Sequence, residues 1–371
     1  MVEIWNSWWF QNTLVGLLVV SGIAVVLRLR RREYWRLAYR EVCRRRGAVI
    51  CFFVLCLYTL VALIDSVGWR DALRDENGEL MRDPRTGKVV YDRGGSALDH
   101  LLKGISSKKE KTYSSPMSRE SFMLESVNRD GKVLRERPPL KHPGAHLLGT
   151  DRIGQDVFCQ ALKSIRTGMV IGILTTLLAV PFALLLGVAS GYYGGLVDDI
   201  LQYICSVLSS IPTVLFIASF MLIFGRGLPQ LCLAMGIASW TGLYRLLRGE
   251  TLRLREEEFV QAAVAMGVPS WRVLLRHIVP NVMHLVLITT VLRFSSEVLA
   301  EAALTYLGIG VGSDTISWGT MINDARTELT RDPIIWWKLC TAFAFMLGLV
   351  LPANIFGDAV RDALDPRLRT Q

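Results

Sequence analysis

The chain has 371 residues, of which 51% are hydrophobic and 20% charged, and its mean hydropathy is +0.35. So much apolar side chain excludes a disordered protein, and seven cysteines without dense spacing exclude a disulfide scaffold. The formal net charge of +9 fits nucleic acid, an anionic membrane surface or an asymmetry of loops across a bilayer, and the placement of the charges decides among them.

Seven segments are apolar all round and long enough to cross hydrocarbon as helix, at 7–27, 47–66, 169–190, 200–224, 228–247, 282–305 and 334–357. Helices are expected because backbone groups cannot stay unpaired in lipid, and the short alternating segments of an outer-membrane barrel are absent. The first segment reads as a signal anchor, since Glu3 precedes it and its positive charge follows it. Trp5, Trp8 and Trp9 beside it read as an interfacial aromatic belt, as do Trp336 and Trp337 at the last span.

Between the first two spans, residues 28–46 carry nine Arg and two Glu, a net of +7. The positive-inside rule makes that loop cytoplasmic, the N-terminus external and the C-terminal tail cytoplasmic. The net charge is therefore a topological marker, and no nucleic-acid partner is expected. Residues 67–160 hold 17 Lys/Arg and 14 Asp/Glu and fall outside, since long loops translocate regardless of charge. Their turn clusters RDENGEL, DPRTGK, DRGG and NRDGK predict irregular structure with short elements, and RPPLKHPG predicts an extended stretch. Domain boundaries follow: an extra N-terminal transmembrane helix at 1–27, a basic loop and helix at 28–66, the extracytoplasmic insert at 67–160, a membrane core at 161–358 and a tail at 359–371.

Cys51, Cys56, Cys205, Cys232 and Cys340 lie in spans and read as small buried hydrophobes, while Cys43 and Cys159 have no obvious partner. Gly168 and Gly172, then Gly187 and Gly191, form pairs spaced for close helix packing, and Pro181 is placed to kink its span. Arg293, Glu297 and Glu301 follow at i, i+4 and i+8, one face of the sixth span. Ionisable groups at membrane depth point to function, either an ion-pair ladder facing a partner helix or a lining of a translocation path.

The chain lacks a phosphate-binding loop, an HExxH or CxxC metal pattern and a G-x-S-x-G nucleophile. No metal site, bound cofactor or enzymatic activity is expected, and any ATP-driven motion needs a motor on another subunit. One loop looks built to receive such a motor. Residues 250–281 read ETLRLREEEFVQAAVAMGVPSWRVLLRHIVPN on the cytoplasmic side. EEEFVQAAVAM is helical by propensity, and Gly267 is placed to end that helix with a positive φ. Pro269 and Ser270 are placed to begin a second helix, and Pro280 to stop it before the next span. Arg272 and Arg276 share a face at i, i+4.

Ala262, Ala263, Gly267 and Pro280 resemble the EAA loop of ABC importer permeases, with Gln261 where that family usually has Glu, and RHIVPN, including Arg276 and His277, resembles its RHILPN form. HLLGTDRIGQD at 146–156 resembles the HxLGTDxxGRD segment of the dipeptide and oligopeptide permeases, with Gln155 in place of Arg. GYYGGLVDD, Ser210-Ile211-Pro212, AEAALTYLGIGV, Ser317-Trp318-Gly319 and NIFGDAVRDALDPR continue the match in order, over 146–367. The resemblance implies an all-α integral membrane protein, a six-helix peptide-type permease with one extra N-terminal helix, in the inner (plasma) membrane. It implies a second permease, ABC ATPase subunits docked on the loop around Gln261, Ala262, Ala263, Gly267, Arg272, Arg276, His277 and Pro280, and an extracytoplasmic substrate-binding protein. ATP is then used by partner subunits. Glu301 matches a family glutamate. The long insert resembles that of microcin-type importers, so nickel complexes and microcin-like peptides stay open as substrates beside ordinary peptides. A membrane anchor or receptor that transports nothing is the rival reading.

Overall fold

The computed structural model describes residues 12–13, 16, 20, 41–69, 95–129, 132–312 and 314–364. Most of the expected first span, most of the arginine-rich loop, the clusters RDENGEL and DPRTGK and the end of the tail lie outside the described residues. The rest is dominated by helices, with two small antiparallel two-stranded sheets.

Among the described residues, four helices are long and apolar enough to cross a membrane, namely Arg46–Ser66, Val157–Tyr193, Ser270–Tyr306 and Trp337–Ala363. They cover the expected spans at 47–66, 169–190, 282–305 and 334–357. At about 1.5 Å per residue the 37-residue Val157–Tyr193 helix is roughly 55 Å long, well beyond the ~30 Å of hydrocarbon, so it extends out of the bilayer. It runs unbroken through Pro181.

The expected span at 200–224 is not one straight helix. Helices Gly195–Ser210 and Thr213–Phe224 meet at an 87° bend and make a fifth span only if counted together. Pro212 is the cause. It has no N–H to continue the first helix, and it pushes Ile211 into extended backbone at φ −83°, ψ 125°. The expected span at 228–247 is a helix, Leu228–Arg255, but its arginines and polar residues keep it out of the set apolar enough to cross.

The chain divides into two compact units. The first comprises Met1–Arg36, Cys56–Arg166 and Ala325–Phe345. In it, Glu125–Arg129 pairs antiparallel with Lys132–Glu136. Gly68–Trp69 pairs with Gly95–Ser96, and Asn12 exchanges two hydrogen bonds with the backbone of Gly68. Of RPPLKHPG, residues 137–140 run without a turn and Pro139 is bridged to Glu120, but 141–144 bend and turn, with Gly144 at φ +72°, so the expected extended stretch ends there.

The second unit comprises Leu37–Leu55, Thr167–Asp324 and Met346–Gln371. One apolar core gathers Ala183, Tyr244, Leu247, Ile278 and Val282, and another gathers Ile171, Met221, Leu231, Met235 and Leu304. The glycine pairs let its helices approach closely. A Cβ on Gly187 would stand 2.9 Å from the Tyr244 carbonyl oxygen, and one on Gly191 would stand 2.7 Å from that of Arg248. Gly168 lies under the ring of Trp318 and Gly172 under that of Phe294.

Two expectations about single residues need correcting. Trp337 is 1% exposed and donates its indole N–H to the Thr150 carbonyl at 3.0 Å, so it is a packing anchor and not a belt residue. Trp336 beside it is exposed. Cys51, Cys205 and Cys232 are buried as expected, but Cys56 and Cys340 are exposed because they sit on outward faces of their helices.

Candidate functional site

The helix–glycine–helix of residues 257–281 is the most distinctive constellation. Glu258–Ala265 forms the first helix, and Gly267, at φ +75°, turns the chain out of it. The Gly267 and Val268 amides donate to the carbonyls of Val264 and Ala263 and so close the helix end. Pro269 then caps Ser270–Val273. Val260, Ala263 and Val273 are buried together, with Tyr192 packed against them, and they seat the hairpin.

Pro280 does not stop the second helix, contrary to the sequence expectation. The chain passes from Ser270–Val273 through a π turn at Leu274–Ile278 straight into Val279–Tyr306. A proline lacks one donor and crowds the carbonyl four residues back, and the wider π turn just before it accommodates both. Pro280 stands within the first two positions of the following helix, where its missing N–H costs least.

The rest of the hairpin faces outward. Phe259, Val264, Met266, Trp271 and Leu275 are exposed, Met266 to 77%, as are Gln261, Ala262 and Gly267. The Arg272 guanidinium lies over the Trp271 ring at 5.1 Å, Arg276 is exposed, and His277 is half-buried with its ring 6.4 Å from that of Phe259. Tyr192, Tyr193, Arg255, Gln261 and Val264 line a shallow depression at the hairpin's foot.

Beneath the hairpin lies a polar clamp that sequence reasoning missed. Arg248 donates from Nε and Nη2 to the two carboxylate oxygens of Asp198, each at 2.6 Å. Ser190 also bonds that carboxylate and lies 2.8 Å from the Tyr244 hydroxyl. Arg255 reaches the Tyr192 carbonyl at 3.3 Å. A bidentate arginine–carboxylate pair fixes geometry as well as charge, so the ends of three helices are held together beside the hairpin. The segment GYYGGLVDD contains Asp198, but nothing in the sequence pairs it with a residue fifty positions on.

Arg293, Glu297 and Glu301 do share one helix but form no ladder. No ion pair within 4.0 Å joins them among the described residues, and each has its own environment. Glu301 is 1% exposed and accepts hydrogen bonds from Thr305 Oγ1 at 2.8 Å and Ser317 Oγ at 3.0 Å. Gly319 packs against the same place, where a Cβ would stand 3.0 Å from the Glu301 carboxylate. Ser317-Trp318-Gly319 is thus a latch on Glu301, reinforced by Thr167 Oγ1 donating to the Ile316 carbonyl. Arg293 donates to the Ser239 carbonyl, and Glu297 is buried.

In the first unit, HLLGTDRIGQD is a knot of buried polar side chains at the start of the Val157–Tyr193 helix. Asp156 Oδ1 accepts the Cys159 amide, and Asp156 Oδ2 lies 2.8 Å from His146 Nδ1, which donates because a carboxylate only accepts. Asp151 accepts the amides of Ile153 and Gln155 and the side chain of Gln160. Gly154, at φ +72°, presses so closely on Glu110 that a Cβ would meet its carbonyl oxygen at 1.8 Å. The Glu110 carboxylate in turn accepts the amides of Lys141 and His142 at 2.9 and 2.7 Å.

A second set ties the insert to its flanking helices. Ser96 donates to Asp65 at 2.6 Å and forms a capping box with Asp99, which Lys163 meets at 2.6 Å. Burial pushes the Asp99 carboxyl up, but Lys163 and the Ser96 donors outweigh it and hold it below the ordinary carboxylate value. Tyr113 is pushed up to about 12, first by burial and then by the Glu328 carboxylate.

Comparison with known proteins covers most of these elements. The family described as "Binding-protein-dependent transport system inner membrane component" matches residues 183–370. The oligopeptide transport system permease protein OppC of Bacillus subtilis is 36% identical over 234 residues, which is 63% of this chain and 75% of that protein. OppC of Haemophilus influenzae is 35% identical over 248 residues, 67% of this chain and 78% of that protein. The dipeptide transport system permease protein DppC of Bacillus subtilis is 31% identical over 245 residues, 66% of this chain and 75% of that protein.

Proposed function

From the premise that this chain belongs to the binding-protein-dependent transport system inner membrane components, we propose that it carries peptides across the membrane as one of two permeases and is driven by separate ATPase subunits seated on residues 257–281. It is a multi-pass membrane permease of an ABC importer. ATP is bound and hydrolysed by the partner subunits. An extracytoplasmic binding protein delivers substrate to the face bearing the 67–160 insert. Residues 28–46 and the C-terminal tail lie in the cytoplasm and the N-terminus outside, as the arginine count of the first loop requires.

The observation that carries this reading is the exposed apolar crown on a rigid seat. Phe259, Val264, Met266, Trp271 and Leu275 have no reason to face water, whereas a cleft on another protein would cover them. Val260, Ala263 and Val273 below, and the Asp198–Arg248 clamp beside them, turn the hairpin into a lever. Closure of the ATPases moves that lever, and the continuous Ser270–Tyr306 helix carries the movement into the membrane.

The test is Val264→Asp with Met266→Asp. Both side chains are exposed, so the variant inserts and folds as before, but the ATPase subunits fail to co-purify and uptake into proteoliposomes stops. Retained ATPase subunits and unchanged uptake would show that the hairpin is not the coupling surface.

A further inference from the structure

The second unit resolves two of its charged groups internally. Arg248 and Asp198 close on each other through two hydrogen bonds, and Glu301 is satisfied by two hydroxyls. Arg293 is treated differently. Its Nη2 donates to the backbone carbonyl of Ser239 on the neighbouring Leu228–Arg255 helix, which orients the guanidinium. Its Nη1 is buried and finds no acceptor among the described residues. Glu297 stands one turn further along the same helix and is itself buried, yet forms no ion pair with Arg293 within 4.0 Å among the described residues. A guanidinium at this depth, aimed by one hydrogen bond and left with an open donor, is costly unless a ligand completes it.

We propose that Arg293 is a carboxylate-binding subsite on the translocation path and takes the terminal carboxylate of the transported peptide. The proposal rests on the peptide reading above and names the part of the substrate that the permease recognises. A carboxylate is planar with two acceptor oxygens and matches the guanidinium fork, which an amide cannot do with equal strength. The Ser239 carbonyl keeps the fork from collapsing onto Glu297. Glu297, about 6 Å along the helix axis, disfavours a second anion there and leaves an acceptor for an N–H group of the same peptide. Arg293 as a residue is half-buried and Ser296 on the same helix is exposed, while Nη1 itself is closed off from solvent here, so a ligand reaches it when the path opens on that side.

The experiment compares uptake of trialanine and trialanine amide by the full importer in proteoliposomes, both with saturating binding protein. The binding protein's own preference is common to all permease variants and cancels when the acid-to-amide ratio is compared between them. In Arg293→Gln the ratio falls about tenfold relative to the unaltered permease, through loss of acid uptake with amide uptake retained. Arg293→Lys keeps the charge without the fork, and its ratio falls in between. Equal losses for both peptides, or an unchanged ratio, would overturn the subsite, as would loss of the second permease from the purified Arg293→Gln complex, which marks an interface role. If the unaltered importer hydrolyses ATP but moves neither peptide, the peptide reading fails and the subsite with it, a result distinct from the others.

Discussion

Residues 110–156 bury a set of polar side chains, whereas residues 257–281 expose a set of apolar ones. In the first region Glu110, His146, Asp151 and Asp156 are buried, and their carboxylates are spent on backbone amides, on His146 and on Gln160. In the second, three small or branched apolar residues hold the seat and five other apolar residues stay uncovered. The first region pairs most of its buried polar groups within its own unit, His146 Nε2 and Ser121 Oγ being the exceptions among the described residues. The second is an unfinished surface, and an unfinished apolar surface on a firm base is what a partner needs in order to push. A region that only has to keep its shape turns its polar groups on itself, while one proposed to carry force leaves apolar contacts for another protein.

The largest test of that contrast is Val260→Asp, which buries an unpaired charge beneath the hairpin. It should cost about 4 kcal/mol locally. Proteolysis within 257–270 should rise sharply in the purified permease, where the exposed Val264→Asp/Met266→Asp pair causes no such change. Equal protease resistance in both variants would erase the distinction between seat and crown. Next comes Glu110→Ala, which strands the amides of Lys141 and His142 and removes two charge-assisted hydrogen bonds. A loss of about 3 kcal/mol is expected, read as a lower unfolding temperature in detergent with the ATPase subunits still able to bind. Trp337→Phe keeps the ring but drops the bond to the Thr150 carbonyl, for a smaller loss of about 1–2 kcal/mol in the same measurement.

The smallest expected effect is a pH dependence at Asp99. Its carboxyl is held below the ordinary value of 3.8, so its contact with Lys163 contributes stability above pH 3.8 and loses it as the pH falls further through the lowered folded value. Proteolysis of the insert should therefore increase on acidification below pH 3.8, and Asp99→Asn should abolish that part of the increase. An identical acid profile in the variant would remove Asp99 from the account.

Much of the helix–glycine–helix at 257–281 was legible in the sequence because its signals are local. Gly267 ends one helix and Pro269 starts the next through backbone preferences that act within a few residues. Pro212 was equally local. It was in plain view, yet the apolar run around it suggested one span where the structure has an 87° break. Pro280 misled in the opposite direction, since a π turn absorbs it, and such a turn has no distinctive composition. What stayed hidden depends on contacts far apart in the chain. Trp337 looked like a membrane-interface residue until Thr150, 187 positions earlier, was seen to receive its N–H. The Asp198–Arg248 clamp and the bond from Arg293 Nη2 to the Ser239 carbonyl likewise follow from which helices lie side by side. A one-dimensional period places Arg293, Glu297 and Glu301 on one face, but it does not say what stands opposite each.

The π turn at Leu274–Ile278 also sets the phase between two helices. It takes up one residue more than an α turn, and each α-helical residue is worth about 100° of rotation. Trp271 and Arg272 therefore point about 100° away from where an uninterrupted helix would aim them relative to Arg293. Deleting one residue from the turn would leave both helices intact and swing the apolar crown round the axis like a key turned in a different slot.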